Sequence, residues 1–327
     1  MTEKTNGDPA IELSGVSRWF GSTAALQDME LVVPRGVVYG LLGPNGSGKT
    51  TALRIIMGIL APDQGRVRLF GGAPSRAARN RIGYLPEERG LYRKMRVMDQ
   101  LVFLGRLRGM DAGEAREQVR SWLDRLGLAH RARSPVGELS KGMQQKVQFI
   151  GTLLHQPDLL ILDEPFSGLD PLNQELLEEM IREFSGKGVT ILLSTHLMDQ
   201  AERLCQHVSL VSGSRKVLDG PLARLRRVDG PPVVDVQFQG SHGWLEDPRI
   251  QVEERRPGEV RIQMESEEVA MLILAEALEE GVRISRFRVV EPTLRDLFLR
   301  HTREGALPIA NADGTGSEGR EGSEASP

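Results

Sequence analysis

Cysteine is nearly absent from this chain. Cys205 is the only one in 327 residues, so no internal disulfide can form and a reducing compartment fits. By itself Cys205 reads as a small buried apolar residue on a helix. A basic excess is missing too: the formal net charge is −3, which argues against a general nucleic-acid binder and leaves only a local basic patch open. Long apolar runs are also lacking. Nothing approaches the roughly 20 residues that cross a bilayer, and the longest candidates, 159–162 and 269–275, have core-strand or core-helix length. Residues 1–9 are polar, with no apolar stretch behind Lys4, so no signal peptide is expected. What is there is a somewhat polar globular composition, 39% hydrophobic and 27% charged, long enough for one large domain and a smaller one.

The chain is organised around Gly43-Pro44-Asn45-Gly46-Ser47-Gly48-Lys49-Thr50. It follows the apolar run Val37-Val38-Tyr39-Gly40-Leu41-Leu42 and precedes the helix-like Thr51-Ala52-Leu53-Arg54-Ile55-Ile56. Strand, glycine-rich turn, Lys-Thr and helix in that order make a phosphate-binding loop. Glycines let successive N–H groups turn inward as an anion nest, and the new helix adds its positive end. Lys49 would bring a point charge to the β- and γ-phosphates, and Thr50 a hydroxyl ligand for Mg²⁺. Residues 43–50 and the adjoining Thr51 are therefore nucleotide-contact candidates. The loop alone specifies a nucleoside triphosphate, not the use made of it.

Before the loop, Ile11-Glu12-Leu13-Ser14-Gly15-Val16 alternates as a half-buried strand, broken at Trp19-Phe20-Gly21, and Met29-Glu30-Leu31-Val32-Val33 reads as a second strand. A small antiparallel sheet beside a parallel core is expected from them. Phe20 has two readings, sheet core or an aromatic face on which an adenine ring stacks. After the loop come strands at Arg66-Val67-Arg68-Leu69-Phe70 and Ile82-Gly83-Tyr84-Leu85-Pro86. A helical block follows, about 93–155, with stripes at Leu101, Leu104 and Leu107 and at Val119, Trp122, Leu123 and Leu126. Leu159-Leu160-Ile161-Leu162 and Val189-Thr190-Ile191-Leu192-Leu193 are apolar on both faces, as buried parallel strands are. A helix over 174–184 lies between them, and short strands at 208–211 and 216–220 close the first unit.

A second unit begins near Arg224. It has strands at 234–238, 260–264 and 284–289, a helix over 269–278 stopped at Gly281, and Thr293-Leu294-Arg295-Asp296 at capping-box spacing for a last helix. The expected organisation is a disordered start (1–9), a large α/β domain (10–222), a small α+β domain (225–303) and a disordered tail (304–327).

Ligands of open α/β sheets sit at the carboxyl ends of the strands. One such end carries the phosphate loop. A second carries Asp163, suited to Mg²⁺, and Glu164, suited to polarising water. A third carries His196, placed for the γ-phosphate or the water. Farther along, Leu139-Ser140-Lys141-Gly142-Met143-Gln144-Gln145-Lys146 precedes a helix expected to start near Met143, whose first N–H groups suit an anion.

Together these residues resemble the ATP-binding cassette ATPases over about 10–222. Leu139-Ser140-Lys141-Gly142-Met143-Gln144-Gln145 is similar to the family signature. Asp163-Glu164-Pro165 with Ser167-Gly168-Leu169-Asp170 resembles the Mg²⁺ strand and dimer-contact loop, and Ser194-Thr195-His196 the switch histidine. The resemblance implies a P-loop NTPase cassette with a parallel core sheet, an antiparallel β subdomain and a helical subdomain. It implies ATP and Mg²⁺ as cofactors, Phe20 as the adenine-stacking ring, and catalytic roles for Glu164, His196 and Lys49. It also implies head-to-tail pairing, in which Ser140, Gly142, Gln144 and Asp170 of one copy close on the ATP held by the other. Two positions depart from the family pattern. Glu87 stands where a glutamine metal ligand is usual, and Lys141 where a glycine is common. Tyr84-Leu85-Pro86-Glu87-Glu88-Arg89-Gly90-Leu91-Tyr92, with Glu291-Pro292-Thr293-Leu294-Arg295-Asp296-Leu297-Phe298, is similar to the ATPase subunits of antibiotic- and sodium-type bacterial exporters.

The expected function is thus the ATPase of a membrane exporter, a homodimer held on the inner face of the cell membrane by a permease on a separate chain, with no nucleic acid bound. A soluble cassette ATPase acting on nucleic acid or ribosomes is the alternative. Such proteins usually carry tandem cassettes, long coiled-coil insertions or zinc-binding cysteines, and this chain has none of these. A GTPase or kinase leaves the signature and His196 without work. An importer subunit is a variant of the first reading.

Overall fold

The computed structural model describes residues 7–88, 90–228, 233–290 and 292–304. Of the stretches expected to be disordered, 1–9 and 304–327, residues 1–6 and 305–327 lie outside the described residues, as do Arg89, Glu291 and the Gly230-Pro231-Pro232 turn, whereas Glu304 ends a helix.

The described residues form three sheets. The first has order β2-β1-β4, all antiparallel, from β1 (Ile11–Phe20), β2 (Thr23–Val33) and β4 (Gln64–Leu69). β1 runs through to Phe20 instead of ending at Val16. Trp19 and Phe20 keep pairing with Ala24 and Thr23 across a tight turn at Gly21.

The second sheet has order β5-β6-β7-β3-β8-β9. Its strands are β3 (Val38–Leu42), β5 (Ile82–Leu85), β6 (Leu159–Asp163), β7 (Thr190–Thr195), β8 (His207–Ser212) and β9 (Arg215–Pro221). All neighbours are parallel except β8 and β9. β3, β6 and β7 are buried at every residue, which explains their continuous apolar sequences. Successive residues feed opposite cores: Val38 and Leu42 join one cluster, Tyr39 and Leu41 the other. The register pairs Leu85 with Leu162, Asp163 with Ser194, and Leu42 with Thr195. The carboxyl ends of β5, β6, β7 and β3 therefore lie side by side.

Helices cover the sheet as its connections demand. They are α1 (Lys49–Ile56), α2 (Arg76–Asn80), α3 (Val97–Leu107), α4 (Ala112–Arg125), α5 (Lys141–Leu153), α6 (Pro171–Gly186), α7 (Met198–Leu204) and α8 (Leu222–Val228). α3, α4 and α5 form the all-helical block between β5 and β6, with Leu101, Val119, Leu123 and Val147 fully buried in one core. α5 starts at Lys141 rather than near Met143. The Ser140 hydroxyl accepts from the Met143 N–H at 3.3 Å, making Ser140 the N-cap and placing Gly142 inside the first turn. Cys205 caps the end of α7 and is buried, which pushes its thiol up to about 12.

The third sheet, β11-β12-β10-β13, is antiparallel throughout. It comprises β10 (Val233–Gln239), β11 (Ile250–Arg256), β12 (Glu259–Met264) and β13 (Arg283–Val290), with α9 (Glu267–Glu279) on one face. The last helix, α10 (Leu294–Glu304), opens with the expected capping box: the Thr293 N–H donates to Asp296 Oδ2 at 2.9 Å, and the Asp296 N–H to Thr293 Oγ1 at 3.2 Å. This helix leaves its own sheet. Leu294 and Leu297 are fully buried in the large core beside α7, and the Leu294 N–H donates to Glu202 on that helix. α8 also joins that core, through Leu222 and Leu225, so the chain leaves it after the expected boundary near Arg224. Among the described residues no helix is long and apolar enough to cross a membrane.

Candidate functional site

The loop between β3 and α1 needs glycine at two places in particular. Gly43 has φ 155°, and a Cβ there would be driven into the Val211 carbonyl oxygen. Gly48, at φ 106°, would meet the Ala25 carbonyl in the same way. Both crowding atoms are backbone and cannot swing aside. Lys49, the first residue of α1, is only 5% exposed, and its Nζ donates to Gly43 O at 2.8 Å and Pro44 O at 3.1 Å. Burial lowers the Lys49 pKa, opposed by the charges of Glu164, Asp163 and Glu87.

The adjoining strand ends bring the remaining groups in. Glu164 leaves β6 with φ 46°, an uncommon backbone conformation for a side chain of this size. Its Oε1 lies 3.8 Å from Lys49 Nζ and 2.9 Å from His196 Nδ1, and its Oε2 accepts from Thr195 Oγ1 at 3.2 Å. This carboxylate is thus held by three groups. Asp163 accepts from Ser194 Oγ at 2.9 Å through Oδ1. Its Oδ2 is buried with no hydrogen-bond partner. Burial raises the Asp163 pKa, and the Ser194 bond and the nearby Thr50 hydroxyl work against that shift. Such a carboxylate is suited to a cation, which would satisfy Oδ2 and favour the ionised form. Ser47 Oγ, in the loop, is likewise buried and unpartnered.

A cleft of about 210 Å³ over the loop brings Glu87 and Glu164 together with Lys49, Thr50 and Thr51. Oxygen donors at or beside this cleft include Thr50, Glu87, Glu164, Ser47 and Asp163. No group of three or more His, Cys, Asp or Glu suited to a metal occurs among the described residues. Mg²⁺ fits that arrangement, since it is commonly held by one or two carboxylates with substrate phosphates and water completing the shell.

Other expected site residues lie elsewhere. Phe20 is half exposed at the end of β1, with the Arg18 guanidinium carbon 5.3 Å from its ring centroid, so the sheet-core reading does not apply. Ser140 and Gly142 do not line the cleft. Gly142 adjoins the start of α6, where a Cβ on it would sit 2.7 Å from Asn173 Nδ2. Asp170 is the N-cap of α6, accepting from the Asn173 N–H at 2.9 Å and from its Nδ2 at 2.7 Å. Gln144 Nε2 donates to Leu139 O at 3.0 Å and Val136 O at 3.3 Å, steadying the turn before α5. Ser194 and Thr195, whose hydroxyls hold the two carboxylates, carry no local sequence sign of that role. Gln145, part of the signature-like run, and Gln148 are buried amides whose partners are distant in sequence.

Comparison with known proteins agrees along the chain. Residues 26–167 match the family described as ABC transporter, and residues 220–302 that described as ATP-binding protein DrrA1-3-like, C-terminal domain. The chain is 41% identical over 295 residues to the uncharacterized ABC transporter ATP-binding protein YhaQ of Bacillus subtilis (strain 168), covering 88% of this chain and 97% of that one. It is 36% identical over 304 residues to Nod factor export ATP-binding protein I of Rhizobium sp. (strain N33), covering 90% and 97%. A solved structure of an ATP binding subunit of an ABC transporter is 33% identical, with TM-score 0.62, over 67% of this chain and 92% of that one.

Proposed function

The chain belongs to the ATP-binding subunits of ABC transporters, and from that membership we propose that it energises a membrane exporter through ATP-driven head-to-tail pairing of two copies. The observation that carries the pairing is a separation. Lys49, Glu164 and Glu87 share one cleft, while Ser140 and Gly142, at a helix start suited to an anion, do not line it. Pairing gives that second surface the γ-phosphate of the other copy.

In this reading Phe20 stacks on the adenine, residues 43–51 hold the phosphates, and Lys49 neutralises their charge. Thr50, Asp163 and Glu87 hold Mg²⁺, which supplies charge stabilisation at the phosphates. Glu164 takes the proton of the attacking water. His196, bonded to Glu164 through Nδ1, keeps that carboxylate aimed and meets the γ-phosphate. Ser140, Gly142, Gln144 and Asp170 close the partner copy's site. Hydrolysis then reopens the pair, and the reopening is what a permease on a separate chain would feel. That permease would hold the subunit on the inner face of the cell membrane. Export rather than import is supported by relatives named for Nod factor export, one of them aligned along 90% of the chain.

Expression together with a membrane-spanning protein encoded by a neighbouring reading frame tests this. The two are expected to copurify from detergent-solubilised membranes, with hydrolysis changed by reconstitution into vesicles. Recovery of the chain with ribosomes or nucleic acid, and not with membranes, would favour the soluble alternative.

A further inference from the structure

Two parallel strands of the second sheet are followed closely by a proline. Pro86 follows β5 and Pro165 lies two residues beyond β6, and after each the chain leaves the ladder with carbonyl groups that need new partners. Those partners come from one helix. On α5, Gln145 Nε2 donates to Pro165 O at 3.2 Å. Gln148 Nε2 donates to Pro86 O at 3.2 Å and to Glu88 O at 3.3 Å. Three positions apart, the two amides share a helix face, and each residue is only 7% exposed. Gln148 therefore holds the backbone on both sides of Glu87, the carboxylate that shares the cleft with Lys49 and Thr50.

We propose that Gln148 is a positioning residue for Glu87: by gripping the carbonyls before and after it, the amide sets where that carboxylate stands over the phosphate loop, and so how strongly Mg²⁺ strengthens nucleotide binding. The proposal rests on the assignment of Glu87 to the metal. A buried amide serves here where a charge would not, because two carbonyl oxygens call for a donor and a carboxylate at this position would face them with acceptors. Gln148 is also about two turns, or about 12 Å, along α5 from Ser140. One helix thus carries both the segment proposed to meet the partner copy's ATP and the grip on Glu87 of its own site.

The test is a titration of the full chain with a fluorescent ATP analogue, in EDTA and in Mg²⁺. Gln148→Met keeps the length and apolar volume but removes the donor. It is expected to bind as wild type does in EDTA, within about twofold, and to lose about fivefold of the affinity that Mg²⁺ adds, the factor one ordinary hydrogen bond represents. Gln148→Glu is expected to lose more, and gives a second reading should the Met variant not fold. Glu87→Ala should show the same Mg²⁺-specific loss, and Gln148→Met added to it should cost nothing further. A wild-type Mg²⁺ response in Gln148→Met, an equal loss in EDTA, or an additive loss in the double variant overturns the proposal. If Glu87→Ala keeps the wild-type Mg²⁺ response, the metal assignment itself falls, and the proposal with it.

Discussion

Glu164→Gln is expected to slow ATP hydrolysis by about two to four orders of magnitude, the range a positioned general base contributes, while ATP still binds. The amide is nearly isosteric with the carboxylate. Its oxygen can accept from His196 Nδ1 as Glu164 Oε1 does at 2.9 Å, and its nitrogen can donate to the Thr195 hydroxyl, now 3.2 Å from Oε2. The backbone at φ 46° is unaltered, because the change lies at the end of the side chain. What disappears is a group able to take a proton, together with a negative charge 3.8 Å from Lys49 Nζ. Binding is therefore retained or tightened, and the ATP-bound chain should elute as a dimer in gel filtration. Single-turnover hydrolysis measures the rate. A rate equal to wild type would remove Glu164 from the role of base, and an ATP-bound monomer would count against head-to-tail pairing.

Lys49→Ala acts on binding instead. A charge-assisted hydrogen bond is worth about 1.5–3 kcal/mol, so loss of one strong contact to phosphate lowers affinity by roughly tenfold to a hundredfold. Field effects push toward the upper end. Lys49 faces Glu164, Asp163 and Glu87, and these three carboxylates are left without their buried cation. The loop also loses the bonds from Nζ to Gly43 O and Pro44 O. Nucleotide titration at fixed ionic strength should show affinity down by about a hundredfold, and the melting temperature should fall as well, because the buried carboxylates lose their counter-charge. Affinity within twofold of wild type would mean that the phosphates lie elsewhere.

The catalytic end of the sheet was readable because each strand announces itself locally. Leu159-Leu160-Ile161-Leu162 is apolar on both faces and stops at Asp163, and the phosphate loop has fixed spacing. Long-range information was not readable. β11 was missed: six of its seven residues are exposed, and the alternation of Ile250-Gln251-Val252-Glu253 stops after four residues in the all-charged Glu254-Arg255-Arg256. It is a strand because β12 pairs with it. Spacing alone left Phe20 two readings, and its half-exposed position removes the sheet-core one. Gln148 looks like any polar residue in a helix, and nothing local says that its partners are Pro86 and Glu88. The capping box of α10 was visible at Thr293 and Asp296. That Leu294 and Leu297 turn away from their own sheet to enter the larger core was not, since apolar spacing shows which face is buried and not against what.

That last placement changes what kind of object the third sheet is. Glu202 of α7 receives the Leu294 N–H at the start of α10 and lies 3.2 Å from the Arg226 guanidinium of α8, so the chain leaves and re-enters the large core at one carboxylate. In topological terms the sheet is an insertion, not an appendage. A chain stopped after Val228 would lose both buried leucines of α10 and leave a hole, at about 2–5 kcal/mol for each large-to-small loss of this kind. A chain in which residues 233–290 are replaced by a flexible bridge keeps those plugs. Thermal unfolding should rank the bridged form well above the truncated one, and equal melting temperatures would show that α10 does not support the cassette.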